Sequence, residues 1–209
     1  GKALANANRV EMLEFLAQVE RNGDNLSKLI GHTVTNTSQH LQHLRQAGLI
    51  TSRKQVLKVY YSLSGDDLIK LFNAQRDVAE RHIAEVERLV DNFLTVKDSL
   101  EPLPRKELLS RVKEGLVTVI DVRPTEEYAA GHVPGAINIP ISELVGHLDG
   151  FHPDQEIVAY CRGPHCVLAF DAVAKLRKKG FKASRLEDGF PEWKTAGLPV
   201  EQLNPIQEK

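Results

Sequence analysis

Cys161 and Cys166 are the residues of this chain best suited to chemistry, and they are its only two cysteines. They bracket Arg162-Gly163-Pro164-His165, between the apolar run Ile157-Val158-Ala159-Tyr160 and the helix-forming stretch from Val167 to Ala174. The run reads as a buried strand of a parallel sheet. The loop therefore lies beyond the carboxyl end of that sheet, where open α/β folds build their sites. Loop N–H groups and the positive end of the following helix favour a thiolate at Cys161, or an anion bound beside it.

Positioning such a loop requires a sheet and its helices, and the chain has more residues than that needs. Its 209 residues, 42% of them hydrophobic, are enough for two cores of about a hundred residues each. The join is expected near Asp98-Ser99-Leu100-Glu101-Pro102-Leu103-Pro104, where two prolines bracket a leucine. This gives domains at 1–97 and 105–203 with a linker at 98–104. The net charge is −1, too even to argue for or against nucleic acid. No apolar run reaches the about 18 residues of a membrane span, so no membrane partner is expected. No secretory leader is visible in Gly1-Lys2-Ala3-Leu4-Ala5-Asn6, and two thiols outside any disulfide framework fit a reducing compartment. The expected location is the cytoplasm.

Local charge says more than the total. No acidic residue occurs between Asp24 and Asp66, whereas Lys28, Arg45, Arg53, Lys54 and Lys58 all fall there. Such a stretch presents a positive face to phosphates. Within it, residues 26–31 read as a short helix ending at a glycine and 33–35 as a turn. A second helix spans about Thr35 to Ala47, with Gly48 as its stop. Leu41 and Leu44 face inward; Thr35, Asn36, Thr37, Ser38, Gln39, His40, Gln42, His43 and Arg45 form the polar face. Amides there pair with adenine edges, and Arg45 with guanine or phosphate. Residues 49–54 and 56–63 read as two strands, and Lys54-Gln55 as the basic tip joining them, with Arg53, Lys54 and Lys58 near DNA.

Together with Ala3-Leu4-Ala5-Asn6, Arg9-Val10, Asn36-Thr37-Ser38-Gln39-His40-Leu41 and Leu44-Arg45-Gln46-Ala47-Gly48-Leu49-Ile50, this half resembles a winged helix-turn-helix repressor of the arsenic and metal-sensor (ArsR/SmtB) family. The resemblance implies a homodimer that binds a double-stranded operator. It also implies a long dimer helix from Asp66 to Val96, whose stripe is Leu68, Leu71, Phe72, Val78, Ile83, Val86, Leu89, Val90 and Phe93. The departure from the family lies in its ligands. This half has no cysteine, and His82 has Glu85 nearby but no second histidine. No metal site is expected, and no cofactor.

The signal must then be read in the other half. Val117-Thr118-Val119-Ile120-Asp121 is a buried strand ending in Asp121-Val122-Arg123-Pro124; Glu126-Glu127-Tyr128 opens a helix. Residues 131–140, Gly-His-Val-Pro-Gly-Ala-Ile-Asn-Ile-Pro, read as a turn leading into another strand. Strands at 157–160 and 183–186 follow, each with a helix after it, and Gly189-Phe190-Pro191-Glu192-Trp193 opens the last. Strand–helix alternation implies a mostly parallel sheet covered on both faces. These motifs resemble a rhodanese domain over 104–200, which completes an α+β and α/β two-domain fold. The resemblance implies that Cys161 accepts a sulfane sulfur as a persulfide, from a donor such as thiosulfate or polysulfide. Asp121 and Arg123 are read as scaffold.

The chemistry is consistent with that implication. Sulfane transfer needs a thiolate to attack a polarised sulfur and a cradle for the terminal anion, here Arg162, Gly163, Pro164, His165, Cys166 and Val167. Gly163 permits a tight bend and Pro164 stiffens it, while Arg162 and His165 add positive potential. Where many rhodaneses carry a basic or hydroxyl residue, five places after the nucleophile, this chain has Cys166. That weakens the case for fast thiosulfate turnover and favours sensing, with Cys166 resolving a persulfidated Cys161. The expected function is a DNA-binding regulator that senses or transfers reactive sulfur. Alternatives are a sulfurtransferase with an accessory DNA-binding half, and a regulator responding to arsenic oxyanions.

Overall fold

The computed structural model describes residues 1–83, 88, 102–152 and 154–203, and its chain forms two compact units, Gly1–Asn73 and Ala74–Lys209. The first begins with α1 (Ala7–Gln18), β1 (Arg21–Asn22), α2 (Gly23–Leu29) and α3 (Val34–Gln46). Each helix starts on a side chain able to satisfy an orphan N–H: Asn6 accepts from Arg9, Asn22 from Asn25, and Thr33 from Asn36. Gly48, at φ +72°, reverses the chain after α3 into β2 (Ile50–Gln55) and β3 (Lys58–Leu63). The sheet order is β1-β3-β2, all antiparallel. Met12, Leu13, Leu16, Leu26, Leu41, Leu44 and Ile50 form its core, joined by Leu68 and Phe72 of α4 (Asp67–His82).

Two expectations need correction here. Thr37 is fully buried and does not belong to the polar face of α3. It lies one turn before Leu41 on the same side as Leu44, so the inward stripe starts earlier than the leucines alone suggest. The hairpin tip is Val56-Leu57, not Lys54-Gln55, because the ladder runs on to the pair Gln55↔Lys58. Two strand-forming residues occupy the turn, against their propensity. The expected dimer helix is seen to His82; Val86, Leu89, Val90 and Phe93 lie outside the described residues, as do 98–101 of the expected linker.

The second unit contains α5 (Arg105–Lys113), β4 (Val117–Asp121), α6 (Thr125–Ala130), β5 (Ile137–Asn138), α7 (Leu144–His147) and β6 (Glu156–Tyr160). It continues with α8 (Val167–Lys178), β7 (Lys182–Arg185) and α9 (Phe190–Thr195). The strands are ordered β5-β4-β6-β7 and every pair is parallel. Because side chains alternate, β4 and β6 feed two separate cores. Ile120, Ile157 and Ala159 pack with Ala169, Ala172, Val173 and Leu176 of α8, while Val119, Val158 and Tyr160 pack with Leu108, Phe190 and Trp193. Residues 131–140 do not lead into a strand: the strand is Ile137–Asn138 itself, two residues within the turn segment. Among the described residues, no helix is long and apolar enough to cross a membrane.

Asp121 and Arg123 sit between the sheet's end and its loops, both with side chains fully buried. Arg123 Nη2 donates to Asp121 Oδ2 at 2.6 Å and to the Gly131 carbonyl at 2.7 Å, and the guanidinium stacks on Phe190. Burial works against the Arg123 charge, but the bonds and charge of Asp121 outweigh it and hold the guanidinium protonated. Burial first, then the Asp121 charge, push the neighbouring Tyr160 phenol far up, so it stays neutral and accepts from Val133 N–H. Arg123→Ala should cost about 3–5 kcal/mol in a urea titration, since it strands a buried carboxylate. Replacing both partners by apolar residues should cost clearly less; equal losses would make packing, not charge, the reason.

Candidate functional site

Cys161 directly follows β6 and is 1% exposed, while Cys166 is half-buried at the N-cap of α8. Their sulfurs are bonded to each other, with the Cα atoms 6.1 Å apart, well within disulfide reach. The sulfur attached to Cys161 Sγ is thus that of Cys166, at the place where the outer sulfur of a persulfide would be attached. The helix begins at Val167, so Cys166 is nearer than Cys161 to its positive end. Phe190 N–H donates to the Cys161 carbonyl at 3.0 Å, and Cys166 N–H to the Gly163 carbonyl at 3.1 Å. One bond ties the loop to α9, and the other closes it upon itself.

The steric requirement for glycine lies elsewhere than expected. Gly163 has no left-handed φ, so the bend alone does not demand a glycine. Instead the loop runs against Gly189: a Cβ there would meet Gly163 N at 2.2 Å, Gly163 Cα at 2.3 Å and the Arg162 carbonyl carbon at 2.4 Å. These are backbone atoms and cannot swing aside. Gly131 is constrained in the same way by Phe190, whose Cζ would stand 2.7 Å from an added Cβ. Glu192 holds Gly189 by accepting its N–H at 3.1 Å, and burial pushes the Glu192 carboxyl up even though Arg76 Nη1 lies 3.5 Å from it.

The charges of the loop are also arranged differently. Arg162 does not offer its guanidinium to the cradle; it forks onto Glu127, fully buried, at 2.7 and 2.9 Å. The reason is that a buried carboxylate must be paired, and Arg162 lies within hydrogen-bond reach of it. Burial lowers the pKa of His165, and Arg76 and Arg185 lower it further, against the opposing pull of Glu80 at 3.3 Å. The imidazole is therefore not a standing positive charge at neutral pH. A cation not anticipated from the sequence, Arg185, donates from Nη1 to the Pro164 carbonyl at 3.4 Å and stacks on Phe170. Only the strand register reveals it, by placing Arg185 beside Ala159, two residues before Cys161.

In the first unit, Thr35, Ser38, Gln39, Gln42, His43 and Arg45 are exposed on α3, and Asn36 is half-buried, donating to His32 Nδ1 at 2.7 Å. His40 is half-buried, its Nδ1 lacks a hydrogen-bond partner among the described residues, and burial together with Arg9, His32 and His43 lowers its pKa. It reads as a neutral imidazole rather than a phosphate-binding cation. Arg53 is committed to Glu20, from Nε at 2.8 Å and from Nη2, and to Gln55 Oε1 at 2.8 Å; Lys54 and Lys58 remain exposed. Among the described residues no three His, Cys, Asp or Glu side chains gather as a metal site.

A winged helix-turn-helix unit combined with a parallel α/β unit whose cysteine loop caps a central strand defines the class: a regulator with a rhodanese-like domain. Family comparison matches residues 6–52 to the bacterial regulatory protein, arsR family, and residues 104–196 to the rhodanese-like domain. The HTH-type transcriptional regulator Rv0324 of Mycobacterium tuberculosis is 44% identical over 99% of this chain and 90% of its own length. A sulfurtransferase of Allochromatium vinosum is 28% identical over 40% of this chain and 78% of its own. The solution structure of the homodimeric winged helix-turn-helix domain Mb0332 of Mycobacterium bovis is 37% identical, covering 40% of this chain and 77% of that one, with a TM-score of 0.38. The chain belongs to the arsR family of bacterial regulators, in a form that carries a C-terminal rhodanese-like domain.

The glycine geometry gives a direct test. Gly189→Ala should lower stability by about 1–3 kcal/mol through forced overpacking, read from the urea midpoint. Gly163→Ala, whose new methyl would meet nothing nearer than Arg76 Nη2 at 3.9 Å, should change it by less than that. The reverse order would place the tight contact at the wrong glycine.

Proposed function

We propose that this regulator is a homodimer that binds operator DNA through α3 and the wing, and that the Cys161–Cys166 pair sets its affinity by sensing reactive sulfur. The observation carrying the reading is the pairing of the two thiols in one short loop at the end of β6, where the position usually basic or hydroxylic in rhodaneses is itself a cysteine. In the proposed reaction the Cys161 thiolate attacks a sulfane sulfur of a polysulfide, whose S–S bond breaks and whose remaining sulfide leaves. Cys161 then carries a persulfide. The Cys166 thiolate attacks Cys161 Sγ, the outer sulfur leaves as hydrosulfide, and the disulfide closes. The oxidant is the sulfane sulfur, reduced to sulfide as the two thiols are oxidised.

Several features support a sensor over a fast catalyst. The pairing of Arg162 with Glu127 and the lowered His165 leave the loop with less positive charge than rapid thiosulfate turnover requires. Cys166 also gives the persulfide an intramolecular exit. The DNA-reading residues are Thr35, Asn36, Ser38, Gln39, Gln42, His43 and Arg45, with neutral His40 behind them and Lys54 and Lys58 on the backbone. The Arg53 charge is shared with Glu20.

The experiment treats the reduced full-length protein with polysulfide. Cys166→Ser should gain mass in single-sulfur steps on Cys161, whereas the parent should release sulfide and form the disulfide, and Cys161→Ser should do neither. Fluorescence anisotropy with a duplex selected from a random library by the parent should then show affinity falling by roughly five- to 150-fold on oxidation. Cys161→Ser should bind that duplex normally and ignore polysulfide. A parent that cycles sulfur to cyanide without any change in DNA affinity would make it a sulfurtransferase with an accessory domain.

A further inference from the structure

We propose that the wing ends in an apolar wedge, Val56 and Leu57, that enters the minor groove of bound DNA and opens it at a deformable base step. The proposal rests on the reading of this unit as DNA-binding and adds to it a mode of contact. The two residues form the entire turn between Gln55 and Lys58, and they are 84% and 93% exposed. None of the described residues covers them. Val56 adopts φ +53°, a left-handed conformation that suits glycine or asparagine and that a β-branched side chain takes only at a cost. An Asn-Gly pair would close a two-residue hairpin of the same length, in the type I′ turn, without strain and without greasy exposure. Neither folding nor solubility accounts for the residues present, and strain of this kind collects where a surface works on a partner.

The surroundings say which partner. Lys54 and Lys58 flank the tip on its two strands, both exposed, and no carboxylate occurs in sequence between Asp24 and Asp66. An apolar point between two ammonium groups complements a groove walled by phosphates and floored by base edges; it does not match an apolar protein pocket. Dimensions agree. Only the two side chains of the tip, not the ribbon behind them, have to enter the minor groove of about 6 Å, whereas a helix of about 10–12 Å needs the major groove. Apolar wedges placed between base steps unstack them and kink the duplex, most readily at pyrimidine–purine steps. The polar face of α3 then reads one groove while the tip tests whether the neighbouring step yields.

The test compares the full-length parent with Val56→Asn/Leu57→Gly and with Lys54→Ala/Lys58→Ala, on a duplex selected from a random library by the parent and labelled at both ends for energy transfer. The Asn-Gly tip should keep or raise thermal stability, weaken binding by roughly five- to a hundredfold, and leave the DNA straighter. Its salt dependence should equal the parent's, because no charge is removed, whereas the lysine variant should show a shallower salt dependence and keep the bend. Unchanged affinity and unchanged energy transfer in the Asn-Gly variant would overturn the wedge, as would weaker binding with the bend retained. Loss of self-association, instead of DNA binding, in sedimentation would reassign the tip to a second copy. A parent that selects no duplex at all would defeat the DNA-binding reading instead.

Discussion

A buried guanidinium must be satisfied on every side, and in the second unit Arg123 imposes that condition on everything around the sulfur loop. Its partners are Asp121 at the end of β4, the carbonyl of Gly131 in the next turn, and the face of Phe190. The same Phe190 presses on Gly131 and donates its backbone N–H to Cys161. The end of β4, the turn that follows it and the distant α9 are thus pinned to one cation, and the cysteine loop is pinned to α9. In water such a pair contributes little; buried, it leaves these segments no alternative arrangement without a stranded charge. Two residues of the sequence motif that look like scaffold therefore fix the Cys161 carbonyl through a single intermediary.

The neighbouring charge pair has a different effect. Glu127, fully buried, draws Arg162 out of the role its position in the loop suggests, leaving Arg185 and Arg76 as cations near the loop, beside a His165 whose pKa they lower. The loop thus exerts less electrostatic pull on an anion than its sequence suggests, and holds a second thiol close to the first.

What could be read from the sequence divides along the range of the forces involved. The strands β4 and β6 were legible because a parallel strand buried on both faces is a continuous apolar run, and the helix-turn-helix because caps and glycine stops are local. The cysteine loop was legible for the same reason. The partners of Arg162 and Arg53 were not, since Glu127 and Glu20 lie far away in the chain and nothing local selects them. Arg185 became visible only through strand register. Thr37 was misread because its hydroxyl marks it as polar while its position one turn before Leu41 buries it. The tip of the wing was misplaced because Val56 and Leu57 look like strand residues, and pairing of Gln55 with Lys58 overrode that preference.

The Cys161–Cys166 link spans only five positions. Constraining so short a loop removes little freedom from the unfolded chain, roughly 2 kcal/mol against about 5 for a loop of a hundred residues. Cys161 belongs to one of the two cores and Cys166 packs against it, but the strand ladders and the Arg123–Asp121 pair do not run through the link. Losing about 2 kcal/mol multiplies the unfolded fraction roughly thirtyfold, and proteases act on that fraction. Reduction of the link would therefore shorten the life of each molecule as well as change its thiols.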